Sequence, residues 1–303
     1  MRIATFNLEN FDDEAGQEPS LDTRIAIMRP QLERIAADVL CLQEVHSQDS
    51  PQGRTLAALD TLLTGTSYED YQRLTTTTTG GDLYQERNLV TLSRFPLVEH
   101  PRTIIRYSSG PRPAYRVATA DPPDQTTDPL EWERPILYAQ ADLGGGRTLH
   151  VMNLHLKSKI ATTITGQKKD NFTWKTPSAW AEGSFISSMK RAGQALQVRL
   201  EIDRLFDQAG QTGDPAPLIA ICGDFNAKSD EGPPASDLRA GGGHRQPRPW
   251  PTGHGGLREP GGRVGPILTV PLGPRRDDRS RPRLPGAVSH PGPHRDPQRV
   301  PAR

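Results

Sequence analysis

Two apolar strands that each lead to an acidic residue constrain the fold of this chain more than any other feature. The stretches Asp38–Val45 and Leu218–Asn226 each contain a short apolar run rich in branched residues, which is typical of a buried strand. Each stretch follows a helical stripe, and each reaches a carboxylate, at Glu44 and at Asp224. A buried strand presents the residues at its carboxyl end at the sheet edge where α/β proteins build their sites.

A hairpin pattern lies between these two units. Ile136–Asp142 and Thr148–His155 alternate like strands and are joined across three consecutive glycines, Gly144–Gly146. Because hairpins occur together with helix–strand units, the sequence predicts two packed β-sheets with helices outside. A doubly wound parallel sheet fits this mixture less well.

Two helical stripes and one polar insertion complete this pattern. The first stripe, Ile25–Ile35, is interrupted by Pro30, so we expect a kink there or a second helix that begins near this proline. The second stripe, Ala195–Ala209, is closed by Gly210. Between the hairpin and this second stripe, residues 157–183 are predicted to form a long polar insertion.

The composition changes abruptly near residue 232. Residues 232–303 hold 15 of the 29 prolines, 13 of the 28 glycines and 13 arginines, but no lysine, phenylalanine or tyrosine. These residues carry a charge of +8, so the first 231 carry −7, although the whole chain is +1. Proline and glycine at this density oppose both helix and sheet. We predict a folded domain over 1–231 and a disordered tail over 232–303, which is either natural or translated from a shifted reading frame.

The remaining composition favours a soluble protein. No run approaches the roughly 20 apolar residues that a membrane-spanning helix needs. No signal segment precedes Ile3, and the two cysteines, Cys41 and Cys222, lie inside apolar runs where buried free thiols are expected. We therefore expect a cytoplasmic protein without a membrane span, present as a monomer.

Polar side chains follow the ends of four predicted strands. The positions are Asn7, Glu44, the pair Asn153 and His155, and the pair Asp224 and Asn226. Residues two apart leave a strand on the same side, so each pair faces one way. Taken singly, each position has an ordinary explanation as a turn cap, a surface ion pair or a buried core histidine. The occurrence of all four in this order favours a functional site.

These residues lie in motifs that resemble the endonuclease/exonuclease/phosphatase superfamily, which has the deoxyribonuclease-I-like fold. The resemblance covers about residues 1–231 and rests on the following motifs: Thr5-Phe6-Asn7, Leu42-Gln43-Glu44-Val45, Ser93-Arg94-Phe95-Pro96, Asn153-Leu154-His155-Leu156-Lys157-Ser158-Lys159 and Gly223-Asp224-Phe225-Asn226. It implies a four-layer α/β sandwich of the α+β type, built from two packed mixed β-sheets flanked by helices. It also implies metal-dependent hydrolysis of phosphodiesters or phosphomonoesters.

The resemblance assigns a role to each site residue. Glu44 would be the main metal ligand, helped by Asn7, and His155, in the Asn153-x-His155 pair of catalytic candidates, would contact the scissile phosphate. Asp224 and Asn226 would orient the attacking water and the phosphate. Independently of the resemblance, oxygen ligands without cysteine or clustered histidine favour Mg²⁺, Mn²⁺ or Ca²⁺ over zinc.

A basic segment follows the predicted His155 strand directly. Six of the seven lysines lie between Lys157 and Lys190, with Arg191 beside them. Lys157, Lys159 and Arg191 are the candidates for contact with an anionic substrate such as nucleic acid. The alternative is that this segment is only a solvated insertion.

The resemblance also predicts two late strands of the family, and the sequence motif that ends one of them does not occur in this chain. The family continues with one strand that ends in Asp and another that ends in Ser-Asp-His, but no Ser-Asp-His occurs here. We therefore predict an incomplete second sheet, poor solubility and weak or absent catalysis. The leading hypothesis is a metal-dependent phosphodiester hydrolase of endonuclease type. The alternatives are a phospholipid or inositol-phosphate hydrolase of the same fold, and a non-catalytic protein that binds nucleic acid through its arginine-rich tail.

Overall fold

The structure, a computed structural model, describes residues 1–98, 102–106, 112–132, 134–227 and 268–269. The helices are α1 (Leu21–Ile35), α2 (Ala57–Leu63) and α3 (Pro177–Thr212). The longer strands are β1 (Ile3–Phe11), β2 (Val39–Val45), β6 (Asn88–Ser93), β11 (Ile136–Asp142), β12 (Thr148–His155) and β13 (Leu218–Asp224). The shorter strands are β3 (Gln48–Ser50), β4 (Gly53–Thr55), β5 (Gln72–Thr75), β7 (Leu97–Val98), β8 (Ile104–Ile105), β9 (Ala114–Tyr115), β10 (Asp128–Pro129) and β14 (Leu268–Thr269).

Two mixed sheets form the centre of the fold. Sheet 1 has the strand order β1-β2-β6-β5, in which β1 and β2 are parallel and the other pairs are antiparallel. Sheet 2 has the order β14-β13-β12-β11-β7, with β8 also paired to β11. In sheet 2 only β12 and β13 are parallel, and α3 connects them. The predicted hairpin is confirmed as β11 and β12, and its three glycines adopt φ values of +77°, +63° and +73°.

Side-chain alternation along the strands generates the layers. In β2, Leu40 and Leu42 pack in a core with α1 and α2, whereas Val39 and Cys41 face sheet 2. In β13, Ala220 and Cys222 face sheet 1, and the alternate residues pack against α3. The order of layers is therefore helices, sheet 1, sheet 2 and helix, which confirms the predicted four-layer sandwich.

The two cysteines meet in the layer between the sheets. Cys41 and Cys222 are both free and fully buried. A hydrogen bond with Cys222, followed by burial, raises the pKa of the Cys41 thiol well above its usual value. The prediction of buried free thiols is confirmed.

The helices differ from the predictions in two places. A single α1 runs through Pro30, so the expected second helix near this proline does not exist. The last helix, α3, has 36 residues and begins at Pro177, after the N-cap Thr176, instead of at the start of the apolar stripe. Its first half buries small residues such as Ala179 and Gly183, and a stripe of small side chains gives little hydrophobic signal. The polar insertion is shorter than predicted for the same reason.

The C-terminal segment contributes one described strand. The two residues of β14 pair antiparallel with Ala220 and Ile221, so the segment places a short strand where none was expected. The rest of 232–303, and with it the predicted tail and its boundary, lies outside the described residues. Among the helices of the described part, none is long and apolar enough to cross a membrane.

Candidate metal centre

The space between the sheets changes from apolar to polar toward the carboxyl ends of β2, β12 and β13. One step beyond the apolar layer, the buried side chains of Thr5, Gln43 and Asn153 form a hydrogen-bonded group. Asn153 Oδ1 accepts from Gln43 Nε2 at 2.8 Å, and its Nδ2 donates to Leu42 O at 3.1 Å and Val90 O at 3.0 Å. This group ties sheet 2 to two strands of sheet 1 immediately below the site.

The predicted site residues converge at the ends of these strands and of β13, two positions past Thr5 and Asn153 and one position past Gln43. Asn7 Nδ2 donates to Glu44 Oε1 at 3.1 Å and to Asp224 Oδ2 at 3.0 Å. His155 Nε2 lies 3.4 Å from Glu44 Oε1 and 3.8 Å from Asp224 Oδ2. One ligand atom from each of Glu44, His155 and Asp224 lies within 4.8 Å of the others. The site thus takes two residues from each sheet, because both parallel strand pairs end at the same edge.

The backbone of β1 and β2 is irregular at this edge. The register between the strands shifts after Asn7, and Glu9, Asn10 and Glu44 adopt φ values of +55°, +48° and +59°. Such conformations are uncommon for residues other than glycine and cluster at functional sites, as bulges do. The bulge turns the Asn10 N–H toward Glu44 Oε2, to which it donates at 3.0 Å.

A buried arginine supports this bulge. Arg24 of α1 is 7% exposed, and its guanidinium donates to the carbonyl groups of Leu8, Glu9 and Asn10. The same group lies over the Phe11 ring, 5.1 Å from its centroid. Arg24 therefore satisfies carbonyl groups that the sheet leaves unpaired, and it holds Asn10 against Glu44.

The end of β13 depends on a close backbone approach. Gly223 adopts φ +143°, and a Cβ atom at this position would lie 2.0 Å from Leu154 O, so only glycine fits. Past this point Asn226 N donates to Asp224 Oδ1 at 2.9 Å, and Asn226 Nδ2 donates to Leu156 O at 2.9 Å. In this arrangement Asn226 fixes the orientation of the Asp224 carboxylate and ties it to the end of β12.

His155 is held as a neutral imidazole. Burial, followed by the positive charges of Arg134 and Arg87, lowers its pKa to about 2. Its side chain is 2% exposed, and in the described part of the chain its Nδ1 has no hydrogen-bond partner. Its Nε2 is the ring nitrogen that faces the two carboxylates, and a neutral imidazole can donate or accept one hydrogen bond there.

Arg87 and Arg134 are residues of this edge that the sequence analysis missed. Each precedes a strand, β6 and β11 respectively, that runs antiparallel to a strand carrying a site residue. The start of an antiparallel partner lies at the same edge as the end of its neighbour. An arginine just before such a strand therefore indicates a residue at this edge. The sequence predictions missed both arginines because they relied on the carboxyl ends of strands alone.

The donor set of this site fits a hard divalent cation. Two carboxylates and one imidazole converge without a thiol, and oxygen-rich sets of this kind suit Mg²⁺, Mn²⁺ or Ca²⁺. Asn7 presents its Nδ2 to both carboxylates, while its Oδ1 accepts from Glu9 N at 2.8 Å. The Nδ2 group of Asn7 thus aligns the two carboxylates. The predicted role of Asn7 as a metal ligand would instead use its amide oxygen, Oδ1.

The other predicted site residues lie around this centre in supporting positions. Asn153, a predicted catalytic residue, is fully buried and uses its amide in hydrogen bonds between the sheets. Arg191 donates to the carbonyl groups of Lys157 and Ser158, so it anchors the loop that leaves β12. Lys157 is half-buried and its Nζ contacts Ile160 O at 3.4 Å, whereas Lys159 is exposed.

Comparison with protein families identifies the class of protein to which this fold belongs. The chain matches the model of the Endonuclease/Exonuclease/phosphatase family over residues 4–264, so it belongs to this family and the resemblance seen in its motifs is confirmed. The match extends past residue 231, where the motifs end. Members of the family hydrolyse phosphoesters with the help of a divalent cation. Comparison with curated proteins gives no match.

Several solved structures are similar to this chain at low sequence identity. Truncated TDP2 from Caenorhabditis elegans shares 16% identity over 78% of this chain and 64% of its own, with a TM-score of 0.43. An endonuclease/exonuclease/phosphatase family protein from Bacteroides thetaiotaomicron shares 14% over 78% and 65%, with a TM-score of 0.44. A mannosyl-6-phosphatase from the same organism shares 13% over 78% and 68%, with a TM-score of 0.42. The chain spans less than two thirds of the length of the first two.

Proposed function

We propose that this protein is a divalent-cation-dependent hydrolase that cleaves phosphodiester bonds by attack of water, with a nucleic acid as its substrate. The observation that carries the proposal is the convergence of Glu44, His155 and Asp224, whose ligand atoms lie within 4.8 Å of one another. Glu44 and Asp224 would hold the cation, which when bound supplies positive charge to the phosphate oxygens.

The protein groups themselves supply orientation and electrostatics. Asn7 and the Asn10 N–H fix the two oxygens of Glu44, and Asn226 fixes Asp224. The preorganised carboxylate of Asp224 can accept a hydrogen bond from a water molecule and so orient it. His155, neutral because of its lowered pKa, can donate or accept one hydrogen bond with a phosphate oxygen without adding charge.

Positive charge around the centre favours an anionic substrate. The charges of Arg87 and Arg134 act on His155 and therefore lie near this edge. The basic segment that follows His155 begins at Lys157 and continues toward Lys190. A potential of this sign raises the local concentration of a phosphate-bearing chain. These features support a diester polymer over a small neutral ester.

We expect turnover by this chain to be slow. The family's late Asp and Ser-Asp-His supply general acid–base catalysis, and no Ser-Asp-His occurs in this sequence. General acid–base catalysis contributes about 10²- to 10⁴-fold. Cation binding and orientation remain in the described site, so binding should be retained when turnover is weak.

The test separates cation binding from hydrolysis. Titration calorimetry with Mn²⁺ and Mg²⁺ should show one site, and Glu44→Gln should abolish it, while Glu33→Gln on the exposed side of α1 should not. Hydrolysis is then compared on plasmid DNA, a phospholipid diester and an inositol phosphate with saturating cation. Cation binding that is absent in the wild type, or unchanged in Glu44→Gln, would refute the proposal. Preferential turnover of either lipid-derived substrate would reassign the substrate.

A further inference from the structure

The first half of α3 projects beyond the edge of the sheets that carries the candidate site. The second half packs on sheet 2 through residues from Ala195 to Leu205. Gln194 marks the edge, because its Oε1 accepts from the backbone N–H of Lys157 at the end of β12. Residues 177–193 therefore extend roughly 25 Å past this point at 1.5 Å per residue. This projecting half-helix, called the wall below, packs on the loop that follows β12, where Thr162 N donates to Gly183 O at 3.0 Å.

A short two-stranded loop, residues 167–175, is attached to this wall and is called the finger below. Its backbone is closed by Lys169 N donating to Thr173 O at 2.9 Å and by Lys175 N donating to Gln167 O at 2.8 Å, around a bridge between Lys168 and Trp174. Gln167 Nε2 also donates to Thr119 O at 2.6 Å. The finger is thus a defined structure fixed to its surroundings.

Phe172 stands at the tip of the finger. Its side chain is 91% exposed, the highest value among the large hydrophobic residues of the described part of the chain. Asp170 Oδ1 accepts from the N–H groups of Phe172 and Thr173, both at 2.8 Å, so the tip is a fixed turn. A single exposed apolar residue is common on protein surfaces, so the charges around Phe172 decide its interpretation.

The finger is strongly basic. Lys168 lies over the Trp174 ring, 4.6 Å from its centroid, and donates to Asn171 O at 2.8 Å. Lys169 and Lys175 are exposed, and within the described part of the chain neither ammonium group has an ion pair. The hydrogen bonds from Phe172 and Thr173 lower the pKa of Asp170, so this carboxylate stays charged, and three lysines against one acid give the finger a net charge of +2.

The charge of opposite sign lies elsewhere. The other acid of the segment, Glu182, accepts hydrogen bonds from Tyr115, Ala118 and Thr119. A separate pocket of about 510 Å³ beside α3 has three acidic residues and Lys190 in its otherwise uncharged lining, and none of its lining residues belongs to the finger. The positive charge of the finger is therefore not cancelled by its neighbours.

We propose that the finger binds single-stranded nucleic acid, with Phe172 stacked on an unpaired base and Lys169 and Lys175 against the adjacent phosphates. This deepens the proposed function and rests on it for the direction of the substrate toward the site. Stacking of a base on an aromatic ring beside basic residues is how single strands are held without sequence preference. A membrane surface would need a larger apolar area than one phenyl ring, because lasting attachment scales with buried apolar area.

The test measures binding by the full chain without turnover. Fluorescence anisotropy with a labelled 15-nucleotide oligo-dT in EDTA should show Phe172→Ala weakening binding by about 5- to 100-fold. Phe185→Ala is the matched control, because Phe185 is exposed as well, at 52%, but packs on Tyr115, with ring centroids 5.7 Å apart. The double variant Lys169→Gln/Lys175→Gln should reduce the salt dependence of log K by about 1.4, for two phosphate contacts on a single strand.

Two further measurements separate this proposal from the proposed function. Turnover of bis(p-nitrophenyl) phosphate reports the centre alone and should be the same in Phe172→Ala and wild type. Oligo-dT binding that depends on Phe172, together with no binding of Mn²⁺ or Mg²⁺ by the wild type, would sustain the finger and refute the hydrolase. Equal oligo-dT binding by Phe172→Ala and wild type would overturn the finger while leaving the hydrolase standing. If Phe172→Ala lost binding to phosphatidylserine vesicles but bound oligo-dT as the wild type does, the finger proposal would also be overturned, in favour of a membrane contact.

Discussion

Replacing Asn153 by leucine tests whether this residue joins the sheets or takes part in chemistry. Leucine is similar in shape to asparagine but offers no donor or acceptor. The replacement removes the bonds to Leu42 O and Val90 O and the bond from Gln43 Nε2. The two carbonyl groups lie where the register between β2 and β6 shifts, next to Glu44.

The expected cost follows from these bonds. Each contributes about 1 kcal/mol net, and a buried group left without a partner costs about 1–3 kcal/mol. Gln43 Nε2 keeps its bond to Cys41 O, so its loss is partial. We expect the free energy of unfolding to fall by roughly 3 kcal/mol, out of the 5–15 kcal/mol typical of a native protein. For a domain of this size that lowers Tm by roughly 6–12 °C.

Urea unfolding followed by circular dichroism measures this change. Thr5→Val, which removes only the bond to Gln43 Oε1 at 3.2 Å, should cost about 1 kcal/mol and calibrates the series. Gln43→Leu combined with Asn153→Leu should cost less than the two single changes together, because both partners are then apolar. A stability of Asn153→Leu equal to the wild type, with lost diester hydrolysis, would refute the argument and return Asn153 to the chemistry.

Three further changes test other parts of the structure. Gly223→Ala places a Cβ 2.0 Å from Leu154 O and should lower the free energy of unfolding by more than about 2 kcal/mol in the urea assay. Gly65→Ala is the control and should cost less, because its Cβ would meet no atom within 4 Å. Arg24→Met should weaken Mn²⁺ binding by roughly 10-fold in calorimetry, because the bulge then no longer holds Asn10 against Glu44. Burial would raise the pKa of Glu201, but hydrogen bonds from Arg204 and Arg102 outweigh burial, so the pKa is lowered. The stability that Glu201 contributes is therefore complete above its ordinary pKa of 4.5 and is lost as the pH falls below that value. Glu201→Gln should flatten that acid decline in pH-dependent unfolding.

The positions of Glu44, His155 and Asp224 could be predicted from the sequence for a simple reason. His155 and Asp224 lie on the inward face at the carboxyl end of an apolar strand, and alternation with period two determines that face. Glu44 shares its parity with Leu40 and Leu42, which face the helices, and it reaches the site because the end of β2 is irregular, with φ +59° at Glu44. Two parallel strand pairs, each joined by a helix, then bring those ends to one edge. The apolar runs and the helical stripes carry enough information for this much of the site.

The alternating pattern shows which face of a strand a residue occupies, but not how far the residue lies from the edge of the sheets. Asn153 and His155 share a face, and the sequence analysis treated them as one pair of candidates. Two positions along a strand separate a side chain enclosed between the sheets from one at their edge. Where the edge falls depends on how the sheets pack, which involves contacts with Leu42 and Val90 from a distant part of the chain.

The first half of α3 escaped prediction for a different reason. Its buried residues include Ala179, Gly183 and Ser187, and a Cβ on Gly183 would lie 2.5 Å from Thr162 O. Close packing of a loop on a helix requires small side chains, which carry little hydrophobic signal. The same close packing holds the finger, because a Cβ on Gly183 would also lie 3.1 Å from the Trp174 ring.

The pairing of β13 indicates that cation binding and acid–base catalysis depend on different parts of the chain. Seven residues of β13 pair with β12, whereas the two residues of β14 are all that pair with its other side in the described part of the chain. The position of Asp224 is therefore set by β12, by Gly223 and by the turn to Asn226. Within the part of the chain that the structure describes, the residues proposed to hold the cation and their hydrogen-bond partners all precede residue 227. The acid–base half that the family implies would come from later strands, so changes in the C-terminal segment should alter turnover far more than cation affinity.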